Sequence, residues 1–224
     1  MTAERLAARG LFKAYGEREV LRGADLTLEE GAVVGLIGEN GAGKTTLLRI
    51  LCGFIRADQG EVLDHGQPVS AFAPRSGLVH FGGGSTLPPG ASARGWSRLV
   101  SGEKTGVGES RRIRDLSRGT RQKLGLEAWL ARPRSLTVVL DEPWEGLDPD
   151  GARWLNARLQ ERAADGAAIL VSSHRLHDLA SVCHRYAFLA AGRVRVADAG
   201  QLGAQVGGED LVRAFDRLRE EPSP

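Results

Sequence analysis

The stretch Gly38-Glu39-Asn40-Gly41-Ala42-Gly43-Lys44-Thr45-Thr46 follows directly on the apolar run 32–37 and fits the phosphate-binding pattern G-x-x-x-x-G-K-[ST]. Glycines let consecutive backbone N–H groups turn toward an anion, and a helix that begins near Lys44 directs its positive end at the same point. A chance glycine-rich turn is the alternative, but the strand before and the helix after favour a phosphate loop. We therefore expect these nine residues to bind a nucleoside triphosphate, with Lys44 on its β- and γ-phosphates and Thr45 on a magnesium ion.

The composition sets limits on the rest of the chain. It has 224 residues, of which 42% are hydrophobic, which suits one large domain or one domain with a small subdomain. There are 30 Lys and Arg against 28 Asp and Glu, and the resulting net charge of +2 predicts no nucleic-acid partner. Basic residues are concentrated between Arg111 and Lys123, where Asp115 is the only acid.

Cysteine usage and hydropathy bear on the compartment. Cys52 and Cys183 lie in apolar stretches without a partner at short spacing, which argues against a disulfide scaffold and favours a reducing compartment. The longest apolar runs, such as 167–171, are far too short to cross a bilayer. We expect a cytoplasmic chain that reaches a membrane only through partners.

Alternating strand and helix signals predict an α/β fold with a largely parallel central sheet. Core strands are predicted at 33–37, 77–80, 136–140 and 168–172. Period-two alternation in 5–15 and 24–29, with a turn at His65-Gly66-Gln67 inside 61–69, predicts a flanking antiparallel β patch.

The region 82–110 is rich in glycine and proline, and its one apolar cluster is Trp96 with Leu99 and Val100. This composition predicts a flexible insertion or a reduced helical subdomain. Ser117 is a suitable N-cap for a helix through Leu130 that ends before Pro133.

Near the C-terminus, Leu211, Phe215 and Leu218 form one helical stripe, which predicts a helix docked on its own domain rather than a partner helix. We accordingly expect residues 1–224 to form a single domain. Within it, 81–133 is predicted to be a short, reduced subdomain and 207–224 a C-terminal helix and tail.

Two acids follow the predicted strand at 136–140. Asp141 can hold the magnesium shell, and Glu142 can polarise an attacking water without being consumed as a metal ligand. A solvated acid pair at a strand end is the alternative interpretation, and the phosphate loop upstream makes it the weaker one.

Together these segments resemble the nucleotide-binding subunit of the ATP-binding cassette family, over nearly the whole chain. Leu116-Ser117-Arg118-Gly119-Thr120-Arg121-Gln122 is similar to the family signature, and Gly146-Leu147-Asp148-Pro149 is similar to its D-loop. His174 matches the switch histidine, and Tyr15 matches the aromatic residue that stacks on adenine.

The resemblance implies a P-loop core, ATP and Mg²⁺ as ligands, and Lys44, Glu142 and His174 as the catalytic residues. It also implies a dimer in which Ser117 and Gly119 of one copy reach the γ-phosphate bound by the other, with Asp148 at the seam. Separate membrane-spanning permease subunits would hold the chain at the inner face of the cell membrane. The Gln122-Lys123 form of the signature and the compact length favour an exporter.

Other interpretations stay open on the residues alone. Ser117 also suits a plain N-cap, and Tyr15 also suits ordinary strand packing. A metal site at His174, His177, Cys183 and His184 has no matching zinc spacing. At the level of function, the alternatives are an ATP-binding regulatory module with weak hydrolysis and a cytosolic cassette ATPase unrelated to transport.

Three positions depart from the family pattern. Phe81 stands where the family usually has a glutamine that joins the metal site to the transport partner, and no glutamine lies between Pro68 and Arg121. In the signature, Arg118 replaces a glycine and Thr120 replaces a glutamine. These changes bear on coupling to the partner more than on ATP binding.

Overall fold

The structure is a computed structural model, and it describes residues 3–73, 77–83, 86–101, 111–131, 137–202 and 206–220, with side chains described through residue 217 in the last range. Two β-sheets form its framework. The predicted features at 102–110, Pro133 and Leu136, and the side chain of Leu218, lie outside the described residues.

A six-stranded sheet in the order β10-β9-β3-β8-β7-β6 is the core. Its strands are β3 (Val33–Gly38), β6 (Leu78–Phe81), β7 (Thr137–Asp141), β8 (Ala168–Ser172), β9 (Arg185–Ala190) and β10 (Arg193–Asp198). All neighbours pair in parallel except β9 with β10, which form an antiparallel hairpin at one edge. This arrangement confirms the predicted parallel sheet.

The second sheet has the order β2-β1-β4-β5 and is antiparallel throughout. It consists of β1 (Glu4–Tyr15), β2 (Arg18–Glu29), β4 (Gln59–Asp64) and β5 (Gln67–Pro68). The turn between β4 and β5 passes through His65 and Gly66, both with positive φ, as the predicted turn requires.

The helices are α1 (Lys44–Leu51), α2 (Ala93–Ser101), α3 (Arg118–Leu130), α4 (Pro149–Ala164), α5 (Leu176–Ala180), α6 (Ala199–Leu202) and α7 (Gly208–Glu220). The helix at α3 begins and ends where the sequence predicted. The described residues of the predicted subdomain include α2, α3 and a 3₁₀ turn at Ile113–Asp115. None of the helices in the described ranges is long and apolar enough to span a membrane.

Side-chain alternation along the central strands creates two hydrophobic cores. Val138 and Leu140 of β7 face the core that contains α3 and α4, whereas Val139 faces the core beneath α1 and the antiparallel sheet. Both sets are buried, so the sheet is covered on its two faces as a parallel sheet must be. Leu211 is buried and Phe215 stacks on Phe188, so the docking of α7 on its own domain is confirmed.

The parallel order brings three loops to one edge of the sheet. Strands β3, β8 and β7 are consecutive neighbours, and their carboxyl ends lead into the phosphate loop, Ser173-His174 and Glu142 respectively. Ligands of open α/β sheets bind at such an edge. The topology thus assembles residues from distant parts of the sequence into one place.

Candidate active site

The phosphate loop (residues 38–46) adopts a conformation that only glycine permits at two points. Gly43 has φ +108°, and a Cβ there would lie 2.7 Å from Cγ1 of Val20. A Cβ on Gly38 would lie 2.8 Å from the carbonyl oxygen of Leu189. Helix α1 starts directly after Gly43 with no capping side chain and no acid in its first turn. Its N–H groups and positive dipole are therefore available to an anion.

Lys44 lies across this loop. Its ammonium donates hydrogen bonds to the carbonyl oxygens of Gly38 at 2.7 Å and Glu39 at 3.2 Å, and the residue is 9% exposed. The loop is also tied from outside, because Arg18 donates to the carbonyl oxygen of Gly41 at 2.9 Å. The cation and the loop amides are thus held on the same concave surface.

Thr45 and Asp141 meet at the floor of the site. The Thr45 hydroxyl donates to Oδ2 of Asp141 at 3.1 Å, and the hydroxyl of Ser172 donates to the other carboxylate oxygen. Oxygen ligands of this kind suit Mg²⁺, which commonly takes one or two protein ligands and completes its shell with water and phosphates. Within the described ranges there is no cluster of three or more His, Cys, Asp and Glu that could hold a metal by itself.

Glu142 has φ +49°, a left-handed conformation that is uncommon for a residue with a side chain. Its carboxylate accepts from the backbone N–H of His174 at 3.0 Å and from the hydroxyl of Ser173 at 3.2 Å. The Nδ1 atom of His174 lies 2.9 Å from Oε2 of the same carboxylate. The structure therefore joins Glu142 and His174, which are 32 residues apart.

A cavity of about 470 Å³ lies beside the phosphate loop. Asp141, Glu142, Tyr15 and Val20 are among the residues that line it. Tyr15 is 51% exposed, with the ammonium of Lys13 over its ring at 5.6 Å from the centroid. The other lining residues are Arg18 and these residues of the phosphate loop: Glu39, Asn40, Gly41, Gly43, Lys44, Thr45 and Thr46.

A second cavity, of about 610 Å³, contains the signature residues. Ser117, Gly119 and Asp148 all line it, and it shares no lining residue with the first cavity. The signature and D-loop segments touch closely here, since a Cβ on Gly119 would lie 2.5 Å from the carbonyl oxygen of Gly146. The candidate site residues therefore fall into two separate groups within one chain.

Both Ser117 and Asp148 also cap helices. The Ser117 hydroxyl accepts from the backbone N–H of Thr120 at 3.1 Å at the start of α3. Asp148 accepts from the N–H of Gly151 at 2.7 Å, and Pro149 occupies the first position of α4. The N-cap interpretation of Ser117 is confirmed. The cap is compatible with a second role, because Ser117 also lines the second cavity.

The model of the ABC transporter protein family matches residues 21–145, which is more than half of the chain. The chain belongs to the ABC transporter family. It is an ATP-binding cassette: it binds ATP, and its ATP hydrolysis is coupled to transport.

Individual relatives agree with this assignment. Lantibiotic transport ATP-binding protein SrtF of Streptococcus pyogenes is 30% identical over 207 residues, covering 84% of this chain and 88% of SrtF. Nod factor export ATP-binding protein I of Paraburkholderia xenovorans is 30% identical over 244 residues, covering 95% of this chain and 78% of that protein. A solved ATP binding subunit of an ABC transporter has the same fold, with a TM-score of 0.81 at 24% identity over 95% of this chain and 99% of that one.

The structure corrects the sequence interpretation of Phe81 in this cassette. Phe81 is 1% exposed and its ring packs against Gly125 of α3, so it belongs to the core. The next residues, Gly82 and Gly83, instead line a cavity of about 300 Å³ together with Asp141 and Glu142. The place of the usual glutamine therefore holds a core side chain, and Gly82 and Gly83 are the residues of this stretch that lie beside the two acids.

Arg118, the unusual residue of the cassette signature, forms an ion pair with Glu145. Both side chains are largely exposed, at 68% and 50%, so the pair is screened by solvent. Arg118 therefore causes no steric conflict at the start of α3.

Sequence reasoning missed several supporting residues of the cassette. Ser172 and Ser173 hold the two acids, and Gln122 donates to the backbone carbonyls of Glu142 and Pro143. In the sequence, a pair of serines before the histidine indicates a role in the site only weakly, and a glutamine within a helix does not indicate one. His80, on β6, interacts electrostatically with Asp141. Burial lowers the pKa of His80, whereas the negative charge of Asp141 acts to raise it.

Proposed function

We propose that this cassette hydrolyses ATP as a two-fold dimer that powers export through separate membrane-spanning subunits. One observation carries the catalytic part: Glu142, which lines the cavity that contains Lys44, has its Oε2 atom 2.9 Å from Nδ1 of His174. Such a pair beside a phosphate-binding loop suits the activation of a water molecule.

ATP would lie in the first cavity. Tyr15, which lines this cavity, offers an exposed ring for stacking on adenine. The backbone of Glu39, Asn40, Gly41, Ala42 and Gly43, together with the start of α1, would hold the phosphates, and Lys44 would shift from its loop carbonyls to the β- and γ-phosphates.

Magnesium would be held by Thr45 and Asp141, whose oxygens already lie 3.1 Å apart. When bound, it neutralises charge on the β- and γ-phosphates. Ser172 orients Asp141 through its second oxygen and so fixes which oxygen is free for the ion.

Hydrolysis would use Glu142 as the general base. The water oxygen forms a bond to the γ-phosphorus, the bond from that phosphorus to the β–γ bridging oxygen breaks, and the water proton passes to the Glu142 carboxylate. Ser173 and His174 keep that carboxylate at the edge of the cavity. His174 orients the carboxylate and would contact the γ-phosphate with its remaining ring nitrogen.

The second cavity supplies the reason for a dimer. Ser117, Gly119 and Asp148 share no cavity with the phosphate loop of their own chain. A second copy related by a two-fold axis would place these residues against the first copy's nucleotide, and the reverse contact follows by symmetry. Two chains would thus enclose two ATP molecules.

The remaining parts of the proposal rest on relatives. SrtF is a lantibiotic transport protein by name, which supports a transport role. The Paraburkholderia protein is a Nod factor export protein by name, and this name supports export. Permease subunits encoded separately would provide the membrane-spanning path and hold the cassette at the inner face of the cell membrane.

The experiment is phosphate release by the purified chain in ATP and Mg²⁺, compared with a Glu142→Gln variant. We expect the substitution to reduce turnover by about 100-fold or more, since it removes the base but keeps the size of the side chain. ATP affinity is expected to stay unchanged. Glu161→Gln, an exposed acid paired with Arg158 on α4, is the matched control and is expected to keep full turnover.

Two results would count against the proposal. Equal turnover in parent and Glu142→Gln chains would exclude Glu142 as the base. ATP binding without turnover in the parent, even with its permease present, would favour a regulatory module.

A further inference from the structure

Gln122 is a buried polar residue that the roles above do not use. It lies in the first half of α3, is 4% exposed, and directs its Nε2 atom at two backbone carbonyl oxygens: Pro143 at 2.8 Å and Glu142 at 3.3 Å. These contacts cross from the signature helix to the residue proposed as the base. A buried amide that bridges two elements fixes their relative position, because loss of its partners leaves polar groups unsatisfied.

The backbone at Glu142 requires such support. Its φ of +49° is unfavourable for a residue with a Cβ and persists only where the surroundings impose it. Its N–H donates to the carbonyl oxygen of Ser172 at 3.0 Å, and its side chain is held by Ser173 and His174. Its carbonyl oxygen accepts from the backbone N–H of Glu145 at 3.1 Å and from Nε2 of Gln122 at 3.3 Å, so Gln122 adds a side-chain contact from another element to the local turn.

The position of Gln122 also relates to the glycine pair after β6. A Cβ on Gly83 would lie 3.8 Å from Oε1 of Gln122. The family's usual glutamine is absent from this stretch, and the neighbouring cavity is lined by Gln122 together with Gly82, Gly83 and Glu142. The side-chain amide next to Glu142 comes from α3.

We infer that Gln122 is a positioning residue for hydrolysis, which holds the Glu142 backbone and links it to the helix that begins at Ser117. A displacement of α3 when Ser117 meets the partner's nucleotide would be passed to Glu142 through this amide. The inference rests on the proposed function, since it assigns a role toward the base and the signature named there.

The test compares Gln122→Met with the parent chain. Methionine keeps the length and bulk of the side chain but donates no hydrogen bond. Leu124→Met, at a fully buried position of the same helix, is the control for disturbing the packing of α3. Two quantities are measured: amide hydrogen exchange of residues 142–147 without nucleotide, and steady-state turnover with ATP affinity.

We expect Gln122→Met to exchange faster in 142–147 and to lose about tenfold to 100-fold in kcat, with the dissociation constant for ATP unchanged. The control is expected to match the parent in both. Exchange and kcat that stay at the parent's values would overturn the inference, and so would faster exchange with full kcat.

Failure of the proposed function gives a different result. A parent chain without turnover counts against that function, and the exchange measurement then still decides whether Gln122 holds the Glu142 loop. Unchanged exchange overturns the inference in that case as well.

Discussion

At the scale of the residue, position 43 of the phosphate loop cannot accommodate a side chain. Its φ of +108° is unfavourable for any side chain, and the space of a Cβ is taken by Val20. We expect Gly43→Ala to abolish ATP binding and to lower the free energy of unfolding by on the order of 2 kcal/mol. Calorimetric titration and urea unfolding measure the two effects. Gly90→Ala, where a Cβ would meet nothing within 4 Å, is expected to change neither, and intact ATP binding by Gly43→Ala would contradict this view of the loop.

His80 provides a prediction on pH. Burial lowers its pKa, and the positive charge of Arg49 acts in the same direction, while Asp141 opposes both. The unfolded chain therefore takes up a proton at His80 in a range where the folded chain does not, so stability is lost as pH falls below about 6.5. We expect the free energy of unfolding of His80→Gln to fall less steeply than that of the parent as pH decreases. The two slopes should differ by no more than about 1.4 kcal/mol per pH unit. Urea unfolding between pH 5 and pH 8 measures it, and identical slopes for parent and variant would show that His80 does not contribute.

At the scale of the element, the start of α3 combines two roles that substitutions can separate. The Ser117 hydroxyl caps the helix, and it also faces the second cavity. Ser117→Ala is expected to cost about 1 kcal/mol of stability through loss of the cap. Ser117→Asp is expected to keep that stability yet lose turnover, because a carboxylate would face the partner's γ-phosphate. Urea unfolding and phosphate release measure these effects, and full turnover by Ser117→Asp would place the signature outside the active site.

The helices, strands and loops also differ in how well the sequence predicts them. The phosphate loop, the two acids at the end of β7 and the cap at Ser117 depend on local patterns, so the sequence predicts their elements almost to the residue. The hairpin of β9 and β10 was missed, because β9 joins the sheet by pairing with β3, which is far away in sequence, and β10 joins it only through β9. Gln122 was missed for a related reason: its function depends on the backbone of Glu142, which is 20 residues away and reached only in the folded chain.

At the scale of the whole molecule, the two cavities define the mechanism. One holds the phosphate loop, the acids and Tyr15, and the other holds Ser117, Gly119 and Asp148. Under the proposed mechanism the reaction uses both groups of residues, so a complete site would need a second chain. The proposed mechanism therefore requires that ATP drives two chains to associate.

The mass of the Glu142→Gln chain in solution, measured with and without ATP and Mg²⁺, tests whether ATP drives two chains to associate. Without hydrolysis the bound ATP persists, and we expect the mass to double only when ATP is present. Adding Ser117→Arg to this variant, which obstructs the second cavity but not the first, is expected to keep ATP binding and to prevent the doubling. A chain that stays monomeric with ATP bound, or a double variant that still dimerises, would contradict the account.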